Sequence, residues 1–312
     1  SDEFTSSIAG LGTHNLTYTY TDVNGCVDYA YQNITVHDTT MIYIVNPLSD
    51  VCVDDPSFVL AIGFPTGGIY YGPGISLIGS DYIFDPAVAG VGTHTLFYAY
   101  TNSFNCTSTI PTTITVNPLP VVSFTGLNAE YCVDDAPAAL AGNPPGGYFT
   151  GPGTALNMFH PDVAGPGTHN ITYTYTDPNG CTDFQVQSTV VHDLPVVTLD
   201  PFADVCVDAP IFALSGGSPT GGVYSGTGVI AGDFDPVAAG VGTHTITYTY
   251  TDPSTSCVNF ATQPITVNPL PPANAGADVS ICYGYCADLT ATGGIGYSWS
   301  TGENSAQINV CP

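Results

Sequence analysis

One eleven-residue phrase is written four times along the chain: GTHNLTYTYTD at 12–22, GTHTLFYAYTN at 92–102, GTHNITYTYTD at 167–177 and GTHTITYTYTD at 242–252. Its apolar residues alternate. In the last version Ile246, Tyr248 and Tyr250 fall on one side and Thr245, Thr247 and Thr249 on the other, the period of a half-buried β-strand. The aromatic side is expected to face a core and the threonine side to face water. Asp252, or DPNG at 177–180, then supplies turn-forming residues, and a cysteine opens the next strand.

The phrase belongs to a longer repeat, and a fixed period is the first thing a fold must satisfy. Three complete copies align, at 41–119, 120–194 and 195–270. Each carries Cys-Val-Asp (52–54, 132–134, 206–208) and an apolar strand ending near Leu60, Leu140 and Leu214. A PTGG or PPGG turn follows (65–68, 144–147, 219–222), then an aromatic (Tyr70, Phe149, Tyr224) and a Gly-x-Gly. Phe-x-Pro comes next (Phe84/Pro86, Phe159/Pro161, Phe234/Pro236), then the phrase, a cysteine and a final strand. Residues 1–40 read as the back half of a further copy, and 271–312 as the front half of a different β-module. These halves suggest a processed product or a segment of something longer. With turn residues every 8–12 positions and period-2 strands, each copy of roughly 75–80 residues reads as an Ig-like sandwich of about seven short strands. The fold expected is all-β: tandem Ig-like Greek-key β-sandwich repeats in an extended rod. NPLP (117–120), HDLP (192–195) and NPLPP (268–272) would serve as short stiff linkers.

Charge removes whole classes of function. The 312 residues include no Lys and no Arg against 26 acidic residues, a formal net charge of −26. Phosphate cannot be clamped and a nucleic-acid backbone cannot be neutralised. Anionic lipid finds no partner, and no apolar run is long enough for a membrane span. Proteases that cut after Lys or Arg find no site. Yet 44% of residues are hydrophobic, enough to build cores rather than leave the chain disordered.

CVD, PTGGxYxGxG and FxPxxAGxGTHxxxYTYTDxNGC together resemble the Ig-like repeats of very large secreted surface proteins of Bacteroidota. Many of those are adhesins or gliding-associated proteins exported by the type IX secretion route. The strand–turn–Cys ending also resembles hyalin-type repeats. The final segment, marked by YSWSTG, is similar to the polycystic-kidney-disease-like modules of the same proteins. The resemblance implies a Greek-key sandwich, export, a stalk or adhesive function and no catalytic residues. It also makes Thr39, in Asp38-Thr39-Thr40, a candidate O-glycosylation acceptor.

Ten regularly spaced cysteines without CxxC read as disulfides formed in an oxidising compartment. Two schemes compete. Pairing within a copy gives Cys52–Cys106, Cys132–Cys181 and Cys206–Cys257, with Cys286–Cys311 in the last module. Pairing between neighbours gives Cys26–Cys52, Cys106–Cys132, Cys181–Cys206 and Cys257–Cys282. The first is favoured, on the expectation that the early and late cysteines of one sandwich meet at the same end. It leaves Cys26 and Cys282 for mates elsewhere.

Few residues invite chemistry. His14, His94, His169 and His244 share one repeat position, but no second ligand recurs beside them, so they read as strand-entry residues rather than metal ligands. His37 and His192 stand where other copies have Asn and read as polar caps; His160 reads as an exposed variant of Asp85 and Asp235. Asp54, Asp55, Asp134 and Asp135 are the candidates for Ca²⁺, though the third copy has Asp208-Ala209 and no EF-hand loop occurs. Tyr297 and Trp299 are the candidates for a sugar platform. No cofactor is expected and no enzyme. The reading is an extracellular structural segment of a surface adhesin, disulfide-stapled and protease-resistant. Its partners are neighbouring repeats of the same or an identical chain. Two alternatives stand beside it: a filament subunit joined by strand donation between half-modules, and a module that binds surface glycans.

Overall fold

The structure, a computed structural model, describes residues 3–311. Its regular structure is almost entirely strand. The helices among the described residues are four-residue turns at Ser6–Ala9, Pro86–Ala89, Pro161–Ala164 and Pro236–Ala239. Tandem β-sandwich repeats form the chain. Contacts divide it into two compact units. One holds residues up to Leu127 with Ala138–Phe159 and Asn170–Ser188; the other holds Asn128–Pro137, His160–His169 and everything from Thr189.

In the first unit the repeated phrase is the strand Gly92–Thr101, which pairs antiparallel with Thr107–Asn117 from Gly92↔Val116 to Thr101↔Thr107. This long hairpin is the centre of a four-stranded sheet. On one edge Ile69–Tyr71 adds antiparallel, Tyr70 opposite Tyr98. On the other, Val51–Cys52 adds in parallel, Cys52 opposite Asn117. A second layer is made by Phe58–Val59, Asp81–Phe84 and Ile75–Ile78, with the short pair Tyr43–Ile44 and Gly63–Phe64 beside it. Leu60, Phe84, Leu96, Tyr98, Ile114 and Val116 form the core. Alternation therefore does in space what it promised in sequence: Leu96 and Tyr98 are buried and Thr95 is exposed. Phe84, Phe159 and Phe234, the Phe of each Phe-x-Pro, are wholly buried.

The second unit repeats the plan in the third copy. Gly242–Thr251 and Val258–Asn268 form the hairpin, flanked by Val223–Ser225 and by Val205–Cys206. Leu214, Phe234, Ile246, Ile265 and Val267 fill its core. The second copy has the same edge pairs: Tyr148–Thr150 opposite Tyr173, and Glu130–Cys132 parallel to the end of Thr182–His192.

The PTGG turn owes its composition to the tyrosine of the repeated strand packed against it. The hydroxyls of Tyr98, Tyr173 and Tyr248 accept the N–H of Gly68, Gly147 and Gly222 and donate to the carbonyls of Pro65, Pro144 and Pro219. A Cβ on Gly63, Gly142 or Gly217 would stand 2.0 to 2.6 Å from those same rings, so the backbone approaches the ring only where a side chain is absent. The proline of each turn follows a cis peptide.

Candidate functional site: the cysteine junctions

The late cysteine of each copy sits at the tip of its long hairpin. There Asp or Asn folds the turn: Asp22 Oδ1 accepts the N–H of Asn24 and Cys26, and Asn102 Oδ1 accepts those of Phe104 and Cys106. The early cysteine sits at the hairpin's base, where Cys52 faces Asn117. The carboxylates of Asp55 and Asp135 accept the N–H of Cys52 and Cys132 at 2.7 and 2.8 Å, closing a turn at each base.

Tip and base are at opposite ends of a strand of eleven residues, which at about 3.3 Å per residue puts them roughly 35 Å apart. The within-copy pairs Cys52–Cys106, Cys132–Cys181 and Cys206–Cys257 are accordingly not formed. Cys52 is bonded to Cys181 and Cys132 to Cys257, with Cα–Cα distances of 5.5 and 5.6 Å. The base of one copy is thus joined to the tip of the next. The alternative neighbour pairs, such as Cys106–Cys132, are not formed either. Cys286 is bonded to Cys311. Cys26, Cys106, Cys206 and Cys282 are free thiols.

Hairpin tips also lean on the linker before their own copy. Asn102 Nδ2 donates to the Asp38 carbonyl and Ser108 Oγ to that of Thr40, while His37 stacks on Phe104 with ring centroids 3.8 Å apart. In the third copy Asn259 Nδ2 donates to the Pro195 carbonyl. Thr39 lies exposed beside the first of these contacts, its N–H held by the Asp38 carboxylate.

The repeated histidines have a local task. Nε2 of His14, His94, His169 and His244 donates to the carbonyl of Gly10, Gly90, Gly165 and Gly240, 2.7 to 3.0 Å away. That glycine ends each four-residue helical turn, whose last carbonyls need a donor. Asp85 and Asp235 cap the other end of the turn. His160 holds the same position without a capping bond and is half-buried rather than exposed. His192 lies 3.2 Å from Glu130.

The acidic pairs are poorly suited to Ca²⁺. Asp54 and Asp55 converge with Cys52, and Asp134 and Asp135 with Cys132, within 4.8 Å. In each group the sulfur is half of a disulfide and one carboxylate already caps the base turn. Two side chains cannot approach the six to eight oxygens that Ca²⁺ takes. Trp299 is half-buried, and its indole N–H is turned inward to the Ser305 carbonyl, while the Tyr297 hydroxyl donates to that of Gly294. Both line a cavity of about 380 Å³ with Pro271, Asn274 and Thr292. Among the described residues no helix is long and apolar enough to cross a membrane.

Fold and junctions together define an all-β protein of sandwich modules cross-linked through hairpin tips. No protein-family model and no curated protein matches the chain. Among solved structures, it is similar to a Ca²⁺-stabilised adhesin with which an Antarctic bacterium binds ice, at 11% identity and TM-score 0.32, covering 83% of this chain and 82% of that one. It is also similar to the extracellular cadherin domains 1–5 of protocadherin gamma B2 (12%, TM-score 0.24, 82% and 66%). A third is the N-terminal four Ig domains of Dscam1 (12%, TM-score 0.20, 86% and 90%).

Proposed function

We propose that the chain is a non-catalytic, load-bearing segment of an extracellular surface adhesin, each sequence copy being one module. The observation that carries this reading is the pair of overlapping disulfides, Cys52–Cys181 and Cys132–Cys257. A disulfide within a module would stabilise that module alone. These bonds tie each module to the next, as a spacer under tension requires, and they fit an oxidising, extracellular setting. The motif resemblance favours a Bacteroidota surface protein exported by the type IX route. Exposed Thr39 suits O-glycosylation, and the outward threonine faces leave room for surface glycans as partners.

The mechanical consequence is calculable. Between Cys52 and Cys257 lie 205 residues, which would extend to about 700 Å at roughly 3.4 Å per residue. With both disulfides closed, the shortest covalent path uses only the 49 residues from Cys132 to Cys181, about 170 Å by the same measure. Single-molecule pulling between sites flanking this stretch should give the short extension, and reductant should release the rest. Equal extension with and without reductant would remove the basis for a load-bearing role. A second reading, that the segment is a filament subunit, is favoured by its free cysteines.

A further inference from the structure

The first complete copy departs from the repeat between its Gly-x-Gly and its Phe-x-Pro. Ten positions separate Gly74 from Phe84, whereas six separate Gly153 from Phe159 and six separate Gly228 from Phe234. The extra residues lengthen a hairpin. Ile75–Ile78 pairs with Asp81–Phe84 over four residues. Its counterparts, Thr154–Ala155 with Met158–Phe159 and Val229–Ile230 with Asp233–Phe234, pair over two. Asp81 and Tyr82 stand in the added length. The Tyr82 carbonyl accepts the Leu60 N–H, as the loop residues Asn157 and Gly232 do for Leu140 and Leu214. The backbone bond therefore needs no aromatic here, and the Tyr82 ring is an addition.

That ring closes a cavity of about 220 Å³ between the extended hairpin and the PTGG turn. Buried Tyr70 and Tyr98 also line it, with ring centroids 4.8 Å apart, and half-buried Tyr82 meets Tyr70 edge-on at 5.6 Å. Ser80 and Asp81 line its exposed rim, Ser80 Oγ lying 3.5 Å from Asp81 Oδ1. Tyr70 is 8% exposed, and its hydroxyl accepts the N–H of Ile62 and of Gly63 at 2.9 and 2.6 Å. Those two bonds fill its acceptor positions. Among the described residues its own proton goes to no protein oxygen. Gly63 lines the same cavity, so this buried proton is available to an oxygen of an occupant. The other copies lack the combination. Phe149 has no hydroxyl, and the Tyr224 hydroxyl accepts one N–H, that of Gly217, beside a hairpin two residues shorter in each strand.

We propose that this cavity binds one neutral hexose ring, the chain-end residue of a surface glycan. Its volume lies below the roughly 300–1,000 Å³ of pockets that enclose drug-sized ligands, which suits a single ring. The negative face of an aromatic attracts the weakly positive C–H side of a pyranose. Asp81 accepts from the sugar's hydroxyls, and the Tyr70 O–H donates to one of its oxygens. Charge excludes the competitors. The Asp81 carboxylate, in a chain of net charge −26 without Lys or Arg, repels acidic sugars. An alkylammonium ion is drawn to tyrosine faces, but here the buried O–H turns its positive end toward the occupant.

This inference rests on the adhesin reading and deepens it by naming what the chain grips. No cysteine lines the cavity, so sugar binding and disulfide-borne load are separable. The full 312-residue chain is titrated with the methyl glycosides of glucose, galactose and mannose, followed by saturation-transfer NMR and calorimetry. N-acetylneuraminic acid and choline serve as the charged probes. Saturable binding of at least one neutral hexoside is expected at a single site. Tyr70→Phe removes only the proton and should weaken it about tenfold, the loss of one hydrogen bond. Tyr82→Ala and Asp81→Ala should abolish it, and Tyr224→Phe in the third copy should leave it unchanged. Asp81 is exposed, so its variant reads the site even where Tyr82→Ala fails to fold. No saturable hexoside, undiminished binding in Asp81→Ala, or a preference for either charged probe would overturn the site. A null titration beside a reductant-dependent extension overturns only the sugar site. Sugar binding beside an extension that ignores reductant overturns only the load-bearing role.

Discussion

The Tyr98 hydroxyl holds the first complete copy's turn from below, accepting from Gly68 and donating to Pro65. Tyr98→Phe keeps the ring and strands both backbone groups, so it should cost about 1–3 kcal/mol in urea unfolding. Burial pushes this phenol's pKa up, against a smaller opposing effect of the Gly68 N–H. A raised pKa means that the folded state prefers the protonated form. The stability it supplies is complete below about pH 10, the ordinary phenol value, and is lost as pH rises through the raised value. Alkaline unfolding should therefore be less steep in the Tyr98→Phe variant, as followed by tyrosinate absorbance. Asp22 runs the other way. The Cys26 N–H, then that of Asn24, draws its pKa below the ordinary carboxylate range. Its contribution is present above about pH 4 and fades as pH falls through the lowered value. The amide resonances of Cys26 and Asn24 should titrate there. Those of Cys106 should not, because Asn102 folds the same turn without a charge; matching titrations would show that the carboxylate is not responsible.

At the scale of elements, the strand faces were legible and the connections between them were not. Period-2 alternation names the buried Ile246 and Tyr248, and Phe-x-Pro names the wholly buried Phe234. The close approach of Gly63 and Gly68 to Tyr98 leaves only two glycines in the sequence, and glycine has many uses. Cysteine spacing carried even less. Late and early cysteines of one copy are expected to meet at one end of a sandwich, but an eleven-residue strand sets them at opposite ends. The signal that locates them is the pairing of Cys52 with Asn117, the last residue of the copy's final strand, and parallel pairing leaves no turn to read. The same geometry predicts independent junctions. Cys181→Ser should leave the Cys132–Cys257 peptide intact and lower stability by about 2–5 kcal/mol, since the bond closes a long loop. Loss of both disulfide peptides would mean that the junctions form as one.

For the whole molecule the dominant long-range term is repulsion. A net charge of −26 with no Lys or Arg gives every carboxylate mostly like-charged neighbours, and among the described residues the His192 ring, 3.2 Å from the Glu130 carboxylate, is the one basic side chain within 4 Å of an acidic one. Acidic groups on such a surface are screened by whatever cation is present, over about 10 Å at 0.1 M salt and about 3 Å at 1 M. Stability should therefore rise with ionic strength, where a protein of mixed charge would respond weakly. The geometry of Asp54, Asp55, Asp134 and Asp135 adds a second condition. With one carboxylate of each pair engaged at its base turn and the nearby sulfur in a disulfide, the pairs offer no preformed site for a particular ion. Sodium, potassium and choline chlorides should raise the melting temperature equally at equal concentration. Calcium should act as a stronger screening ion, with no saturation at micromolar levels. A steep calcium-specific rise that saturates in that range, abolished by Asp54→Asn with Asp134→Asn, would show that cations are bound at the junctions rather than spread over the surface.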